Sequence, residues 1–174
     1  MKQFMTAFLL LATLPIWAQP KDYSADVASV DKIVTSLYEF ISGGKGAERD
    51  WDRFRNLFAP GARMLAVVGK KDKMQTVVLT PEDYVKRVGP VLVRDGFFET
   101  ELGRKVDAYG PVVQVMTAYE SRHLPTDAKP IEKGVNFLQL TFDGKRYWVQ
   151  SIAWSGEELA GPVPKSLLGK GRSK

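Results

Sequence analysis

The sequence has no cysteine, and His123 is its single histidine in 174 residues. Without cysteine the chain forms no disulfide and offers no thiolate metal ligand, no cysteine nucleophile and no attachment point for a lipid. One histidine and scattered carboxylates also leave no clustered set of metal ligands. We therefore predict no metal and no cofactor, and a fold that is stabilised by its hydrophobic core alone.

Positive charge is scarce in the body of the chain, although the formal net charge is +5. Lys2 lies near the start, and Lys165, Lys170, Arg172 and Lys174 lie within the last ten residues, which leaves 20 basic side chains against 20 acidic ones between them. Nucleic-acid binding needs a concentrated basic surface on the fold. The sequence therefore predicts no nucleic-acid partner.

Long apolar runs are absent except at the start. Residues 4–16 form an apolar segment after Lys2, and Ala18 provides a small residue before Gln19-Pro20, which is the pattern of a secretory signal peptide. At about a dozen residues the segment is shorter than a membrane span needs, so a membrane anchor is the less favoured alternative. We expect residues 1–18 to be removed, no membrane span in the mature chain, and export to the periplasm or the medium.

Periodic apolar residues predict three helices before a series of strands. The first covers 24–42, with Ser24 or Asp26 as its N-cap, Asp50 caps the second, and Thr80 opens the third. The stretch 43–46 (G-G-K-G) follows the first helix, and we expect its first two glycines to end that helix in the left-handed conformation. A phosphate-binding loop precedes a helix instead, so this stretch does not predict one.

The rest of the chain alternates as strands do. Asp143-Gly144 joins two runs of β-branched and aromatic residues and is the strongest hairpin signal in the chain. The element order predicts an α+β fold, in which three N-terminal helices pack on a strongly curved, mixed but mainly antiparallel sheet that forms a cone with a pocket. We expect one domain over 19–160 and a basic, flexible tail over 161–174. The predicted strands lie at 64–68, 74–79, 97–108, 112–123 and the two arms of the hairpin within 134–154.

Three local patterns resemble the nuclear transport factor 2-like superfamily, which includes polyketide cyclase-like proteins, ketosteroid isomerase and scytalone dehydratase. They are the end of the first helix with Tyr38, the segment 50–62 (D-W-D-R-F-R-N-L-F-A-P-G-A) and the segment 143–154 (D-G-K-R-Y-W-V-Q-S-I-A-W). The resemblance covers about residues 26–154 and implies the cone fold. It implies no particular function, because this fold supports many activities.

The resemblance does not extend to isomerase chemistry. Tyr38 matches the tyrosine of the isomerase oxyanion hole, but the base position falls at about Ala66 and the second acid at about Leu138. Neither alanine nor leucine carries a proton, so ketosteroid isomerase-type catalysis is not expected. The histidine–aspartate pair that the dehydratase pattern requires cannot be placed, because His123 lies at a strand end.

If the strands alternate as the superfamily's do, the hairpin forms one wall of the pocket. Buried amides at Asn136 and Gln150 need hydrogen-bond partners, which are a ligand, each other, Tyr38 or a trapped water. The predicted pocket lining consists of Tyr38, Asn136, Leu138, Gln150, Ile152 and Trp154.

Two titratable residues are weak candidates for catalysis. Glu120 either faces the hollow with a raised pKa or forms a surface ion pair with Arg122, and His123 is either a proton carrier or an exposed strand-end residue. Three functions stay open. The chain is an exported binder of a small, mainly apolar ligand, an isomerase/dehydratase-type enzyme using Glu120 or His123, or a non-catalytic interaction module. A homodimer through the outer sheet face is expected, because Tyr147, Trp148 and other aromatics would be buried there.

Overall fold

The structure, a computed structural model, describes residues 21–169. The predicted signal peptide and the last five residues of the predicted tail lie outside this range. The described part contains five α-helices rather than the three predicted, and none of them has the length and apolar character to cross a membrane. The helices are α1 (Val30–Ile41), α2 (Trp51–Asn56), α3 (Pro81–Arg87), α4 (Gly89–Asp95) and α5 (Glu157–Ala160).

Within residues 21–169, six strands form one mixed sheet that is not closed, in the order β2-β1-β6-β5-β4-β3. Only β1 and β6 pair in parallel, and the other neighbours are antiparallel. Helices α1 and α3 pack on the inner face, α1 against β3 and β6 and α3 against β1 and β2. This is the predicted α+β arrangement. The strands are β1 (Phe58–Lys70), β2 (Lys73–Leu79), β3 (Phe98–Tyr109), β4 (Val112–Arg122), β5 (Glu132–Phe142) and β6 (Tyr147–Gly156).

The first helix begins later than predicted. Ser24–Val27 forms a separate 3₁₀ turn, and Ser29 is the N-cap of α1, accepting a hydrogen bond from the backbone N–H of Lys32 at 3.1 Å. Asp26 is not a cap because both of its carboxylate oxygens accept from Arg53, at 2.9 and 2.6 Å. The carboxylate that the sequence assigned to a helix end therefore ties the 3₁₀ turn to α2.

The end of α1 is stabilised by hydrogen bonds from the Arg49 side chain, and not by a glycine in the left-handed conformation. Gly43 and Gly44 both have negative φ, so the expected glycine cap is wrong. Gly43 is instead required by close packing, since a Cβ there would lie 2.5 Å from Nη1 of Arg49. The guanidinium of this buried arginine donates to five carbonyl oxygens, those of Ile41, Gly43, Gly44, Ala47 and Leu92.

The third predicted helix is split in two. Thr80 caps α3 as predicted, and its side chain and that of Asp83 exchange hydrogen bonds with each other's backbone N–H. The helix ends at Arg87, and α4 begins at Gly89, because Pro90 has no N–H to continue the hydrogen bonding of α3. Trp51 of α2 packs directly on Gly89, where a Cβ would lie 3.0 Å from the indole.

The hairpin between β5 and β6 turns at Asp143-Gly144 as predicted, and Gly144 has φ +95°. Asp143 holds the turn with its carboxylate. One oxygen accepts from the backbone N–H groups of Lys145 and Arg146 at 2.8 and 2.9 Å, and the other accepts from the Trp148 indole at 2.7 Å. The indole and these two N–H groups lower the pKa of Asp143 to about 2. Trp148 is therefore occupied by its own hairpin, where the guanidinium of Arg146 also stacks on it.

The outer face of the sheet, which points away from α1 to α4 and includes Met116, Ala118 and Phe137, is partly covered by the chain's own C-terminal segment. Val163 and Leu167 are buried there against Ala118. The backbone N–H of Val163 also donates to the Glu157 carboxylate at 2.7 Å. The described part of the predicted flexible tail, residues 161–169, is thus a packed segment. Composition did not reveal this, because two apolar residues among glycines and prolines give no periodic signal.

Candidate functional site

A cavity of about 180 Å³ lies between the helices and the inner face of the sheet. Most of its wall is apolar or aromatic, and polar groups come from only a few side chains. Helices α1 to α4 contribute Leu37, Ile41, Phe54, Tyr84, Val88 and Leu92; the sheet and the residue before β3 contribute Met64, Phe97, Glu99, Tyr119, Glu132, Asn136, Ile152 and Trp154.

Glu99 is the acid inside this cavity. It projects inward from β3, and its Oε1 accepts a long hydrogen bond of 3.4 Å from the Asn136 amide. The pKa of Glu99 is raised to about 8, mainly by burial among apolar side chains and to a smaller extent by the nearby carboxylate of Glu132, while the Asn136 hydrogen bond lowers it. A neutral carboxylic acid at neutral pH can donate a hydrogen bond as well as accept one.

Glu132 lies at the exposed rim of the cavity, where β5 begins. The buried hydroxyl of Tyr119 donates to its Oε2 at 3.0 Å. Burial and the neighbouring carboxylates raise the pKa of this tyrosine. Gly134 and Gly156 face each other across β5 and β6 and leave room for the side chains of Tyr119 and Glu132. A Cβ on Gly134 would collide with Tyr119, and one on Gly156 would collide with Glu132.

Tyr84 presents a polar group that has no protein partner. Its ring stacks on Phe54 of α2, with 5.5 Å between centroids and 23° between planes, and only 8% of the residue is exposed. Burial and the negative charge of Glu99 raise its pKa. Within residues 21–169 its hydroxyl makes no hydrogen bond, although it borders the cavity. A hydroxyl that borders a cavity and has no protein partner offers a ligand or water a polar contact there.

The predicted lining residues are only partly brought together. Asn136, Ile152 and Trp154 border the cavity, and the first and last of these face each other across β5 and β6. Leu138 is fully buried in the core and does not reach the cavity. Tyr38 lies behind Asn136, whose amide donates to the tyrosine hydroxyl at 3.3 Å.

Gln150 is a correction to the predicted lining. In β6, Ile152 pairs with Leu138, but Ser151 pairs with Gln139 and Val149 with Leu140, so Gln150 is the extra residue of a β-bulge. The bulge turns Gln150 to the outer face, where it donates to the Thr141 hydroxyl at 2.8 Å. The fully buried Val149 takes the inward position instead.

The two catalytic candidates also lie outside the cavity. Glu120 is on the outer face of β4, in an ion pair with Arg122. His123 follows the same strand, and its Nδ1 is 2.9 Å from the Gly96 carbonyl oxygen. These positions match the alternatives of a surface ion pair and a strand-end residue. No group of three metal-ligating side chains is found in the described part of the chain.

Sequence reasoning missed the three acidic or phenolic residues that matter most here, Glu99, Glu132 and Tyr84. Strand alternation in F-F-E-T-E-L (97–102) puts Glu99 and Glu101 on one face. The strand pairing shows that this face points inward, because Glu99 lies opposite Ser121 and Glu101 lies opposite Tyr119, which are buried residues of β4. The signal was present in the alternation, but the pairing partner was needed to interpret it.

Comparison with known proteins shows the fold and no more. No family model matches the sequence, and no curated protein matches it. A structure of unknown function from Nostoc punctiforme, described as having a cystatin-like fold, aligns with a TM-score of 0.57 and 7% identity over 73% of this chain and 87% of that one. A nuclear transport factor 2-like protein of unknown function from Silicibacter pomeroyi aligns at 0.52 and 10% identity over 74% and 93%. One from Cytophaga hutchinsonii aligns at 0.51 and 8% identity over 72% and 90%.

These likenesses support the predicted α+β cone fold, but not the predicted number of helices or the pocket. The chain has the cone fold of nuclear transport factor 2-like proteins. At sequence identities this low, a structural match shows a shared fold but not a shared activity. The fold therefore assigns no specific activity to the chain.

Proposed function

We propose that this protein binds a small, mainly apolar ligand in the cavity between the helices and the sheet. The observation that carries the proposal is a space of about 180 Å³ with a mostly apolar wall, bordered by the Tyr84 residue, whose hydroxyl has no hydrogen-bond partner among the described residues. An apolar cavity of about 150 Å³ is large enough for a benzene-sized molecule. Ligand sites typically combine apolar walls with a few fixed polar groups, and Asn136 and Glu99 supply the others here.

Neither alternative function has comparable support. An enzyme that used Glu120 or His123 would need one of them at the cavity, and both lie elsewhere. The positions matched to the isomerase acid and base hold Leu138, which is buried in the core, and Ala66, which pairs with Trp154. A module whose cone is filled with side chains would leave no space of this size.

Toluene, benzyl alcohol and a variant that fills the cavity test the proposal. We expect isothermal titration calorimetry to detect binding of toluene or benzyl alcohol to the purified protein. The substitution Val88→Phe places a larger side chain in the cavity wall and should abolish this binding. Val106→Phe, on β3 away from the cavity, should retain it. Failure of both compounds to bind the folded wild-type protein, or equal binding by both variants, would contradict the proposal.

We further propose that the protein is exported after removal of residues 1–18. The support is the sequence pattern of Lys2, the apolar segment 4–16 and Ala18. Mass spectrometry of periplasmic or secreted protein should find a mature chain that begins at Gln19. A chain with Met1 intact in the cytoplasm would contradict this expectation.

A homodimer through the outer sheet face is the proposed assembly. The C-terminal segment covers this face only around Ala118, and Phe137 next to it remains 42% exposed. A second copy placed there would bury the aromatic side chain. Native mass spectrometry should show a dimer for the wild type and a monomer for Phe137→Glu, and a monomeric wild type would disprove the assembly.

A further inference from the structure

We propose that the cavity selects a small hydrophobic amine, which binds as an ammonium ion to the Glu99 carboxylate. This inference rests on the proposed ligand-binding function and specifies its ligand. It starts from an imbalance of charge, because the lining contains two carboxylates, those of Glu99 and Glu132, and no lysine, arginine or histidine.

The nearest inward-facing basic residue of β3 is already paired. Arg104 donates to Glu101 and Asp31, with contacts of 2.7 and 3.1 Å. Arg122 on β4 is paired with Glu120 on the outer face. Glu99 forms no salt bridge within residues 21–169, so a cation that pairs with it inside the cavity must come from a ligand.

The remaining walls fit an ammonium ion on an apolar body. Aromatic rings attract cations through their faces, and Trp154, Phe97 and Tyr84 surround the space beside Glu99. The unpartnered Tyr84 hydroxyl can accept one ammonium N–H through its oxygen, as the Glu99 carboxylate accepts another. The Asn136 amide already donates toward Glu99 and helps to hold its carboxylate in place.

Binding of such an ion must release a proton. The titratable groups around Glu99 are Glu132 on β5, whose charge raises the pKa of Glu99, and Tyr119, Tyr84 and Tyr38, whose pKa values the Glu99 charge raises. None is cationic, and burial raises the pKa of Glu99 to about 8. At pH values below this, an ammonium ion that enters meets a carboxylic acid, the proton leaves to solvent, and an ammonium–carboxylate pair remains.

Benzylamine, benzyl alcohol and benzoate have nearly the same shape and differ in charge, so calorimetry with all three tests the inference near neutral pH. We expect benzylamine to bind at least about tenfold more tightly than benzyl alcohol, because a charge-assisted hydrogen bond is about twice as strong as a neutral one and the site excludes water. Benzoate should not bind. Repeating the benzylamine titration in two buffers of different ionisation enthalpy should show net release of protons.

The matched variants are Glu99→Gln and Glu120→Gln. Glu99→Gln should reduce benzylamine binding to the level of benzyl alcohol and abolish proton release, while benzyl alcohol binding persists and shows that the cavity is intact. Glu120→Gln removes a carboxylate from the outer face and should change neither. If benzyl alcohol binds as tightly as benzylamine, or if Glu99→Gln keeps the preference for the amine, the inference is wrong while the binding function stands. If none of the three compounds binds, the inference is wrong, and if toluene does not bind either, the binding function fails with it.

Discussion

The Tyr38 hydroxyl lies 2.8 Å from Thr117 Oγ1, and Thr117 in turn donates to the Glu101 carboxylate at 2.6 Å. Because Glu101 is ion-paired with Arg104, its carboxylate accepts the hydrogen bond and the Thr117 hydroxyl donates it. Thr117 has one proton, so Tyr38 must donate to it. The tyrosine that resembles the isomerase oxyanion residue thus directs its proton away from the cavity and toward β4.

Thr117→Val should destabilise the protein by about 1–3 kcal/mol, because it leaves the buried Tyr38 hydroxyl without its acceptor. Urea denaturation measures this loss, with Thr100→Val on the exposed side of β3 as a control that should change stability by less than about 0.5 kcal/mol.

Tyr38→Phe should leave benzyl alcohol binding unchanged, since the hydroxyl does not reach the cavity. Loss of binding in Tyr38→Phe with the fold intact would show that the Tyr38 hydroxyl does reach the cavity.

Glu99 should make the protein less stable as pH rises. Its pKa is raised from 4.5 when exposed to about 8 in the fold. Between these values the native state keeps a proton that the unfolded state has lost, so the free energy of unfolding falls with increasing pH. Each pKa unit corresponds to about 1.4 kcal/mol, so the loss across this window is on the order of 5 kcal/mol.

Glu99→Gln removes this dependence. Urea denaturation across the window should show the variant gaining stability relative to the wild type as pH rises from about 4.5 to about 8. Glu120→Gln, which lacks an ion pair on the outer face, should show no such gain. A difference between Glu99→Gln and the wild type that stays constant with pH would mean that Glu99 is ionised throughout the window.

The bulge in β6 predicts opposite consequences for neighbouring residues. Val149→Ala should cost about 2 kcal/mol, because Val149 is fully buried among core side chains. Gln150→Ala removes only a hydrogen bond on the outer face and should cost less than about 1 kcal/mol without affecting benzyl alcohol binding. Calorimetry and urea denaturation of both variants check this, and loss of binding in Gln150→Ala would place its side chain in the cavity after all.

The same bulge shows where prediction from the sequence ends. Local signals were sufficient for the hairpin at Asp143-Gly144 and for the Thr80 cap, because the chemistry of each lies within a few adjacent residues. Asn136, Ile152 and Trp154, which alternation predicted to face inward, border the cavity in the structure. Alternation failed at Gln150 because one inserted residue reverses every face beyond it, and no residue type marks the insertion.

Contacts between distant segments were equally hidden from the sequence. The inward direction of Glu99 depends on its pairing with β4, more than 20 residues later. The packing of Val163 and Leu167 depends on a surface formed by Ala118 and its neighbours. Arg49 looked like one of many surface charges, and only the fold brings five carbonyl oxygens around it.

Arg49→Lys should destabilise the protein by about 2–4 kcal/mol, although it conserves the charge. The planar guanidinium joins the end of α1 to Leu92 of α4, and an ammonium group cannot reach both sets of carbonyls at once. Burial already lowers the pKa of Arg49, and a lysine would pay the same desolvation cost with fewer hydrogen bonds. The exposed Arg94, whose single partner among the described residues is its neighbour Asp95, provides the control. Arg94→Lys should change the free energy of unfolding by less than about 0.5 kcal/mol. Equal effects of the two substitutions in urea denaturation would show that the carbonyl contacts of Arg49 contribute nothing to stability.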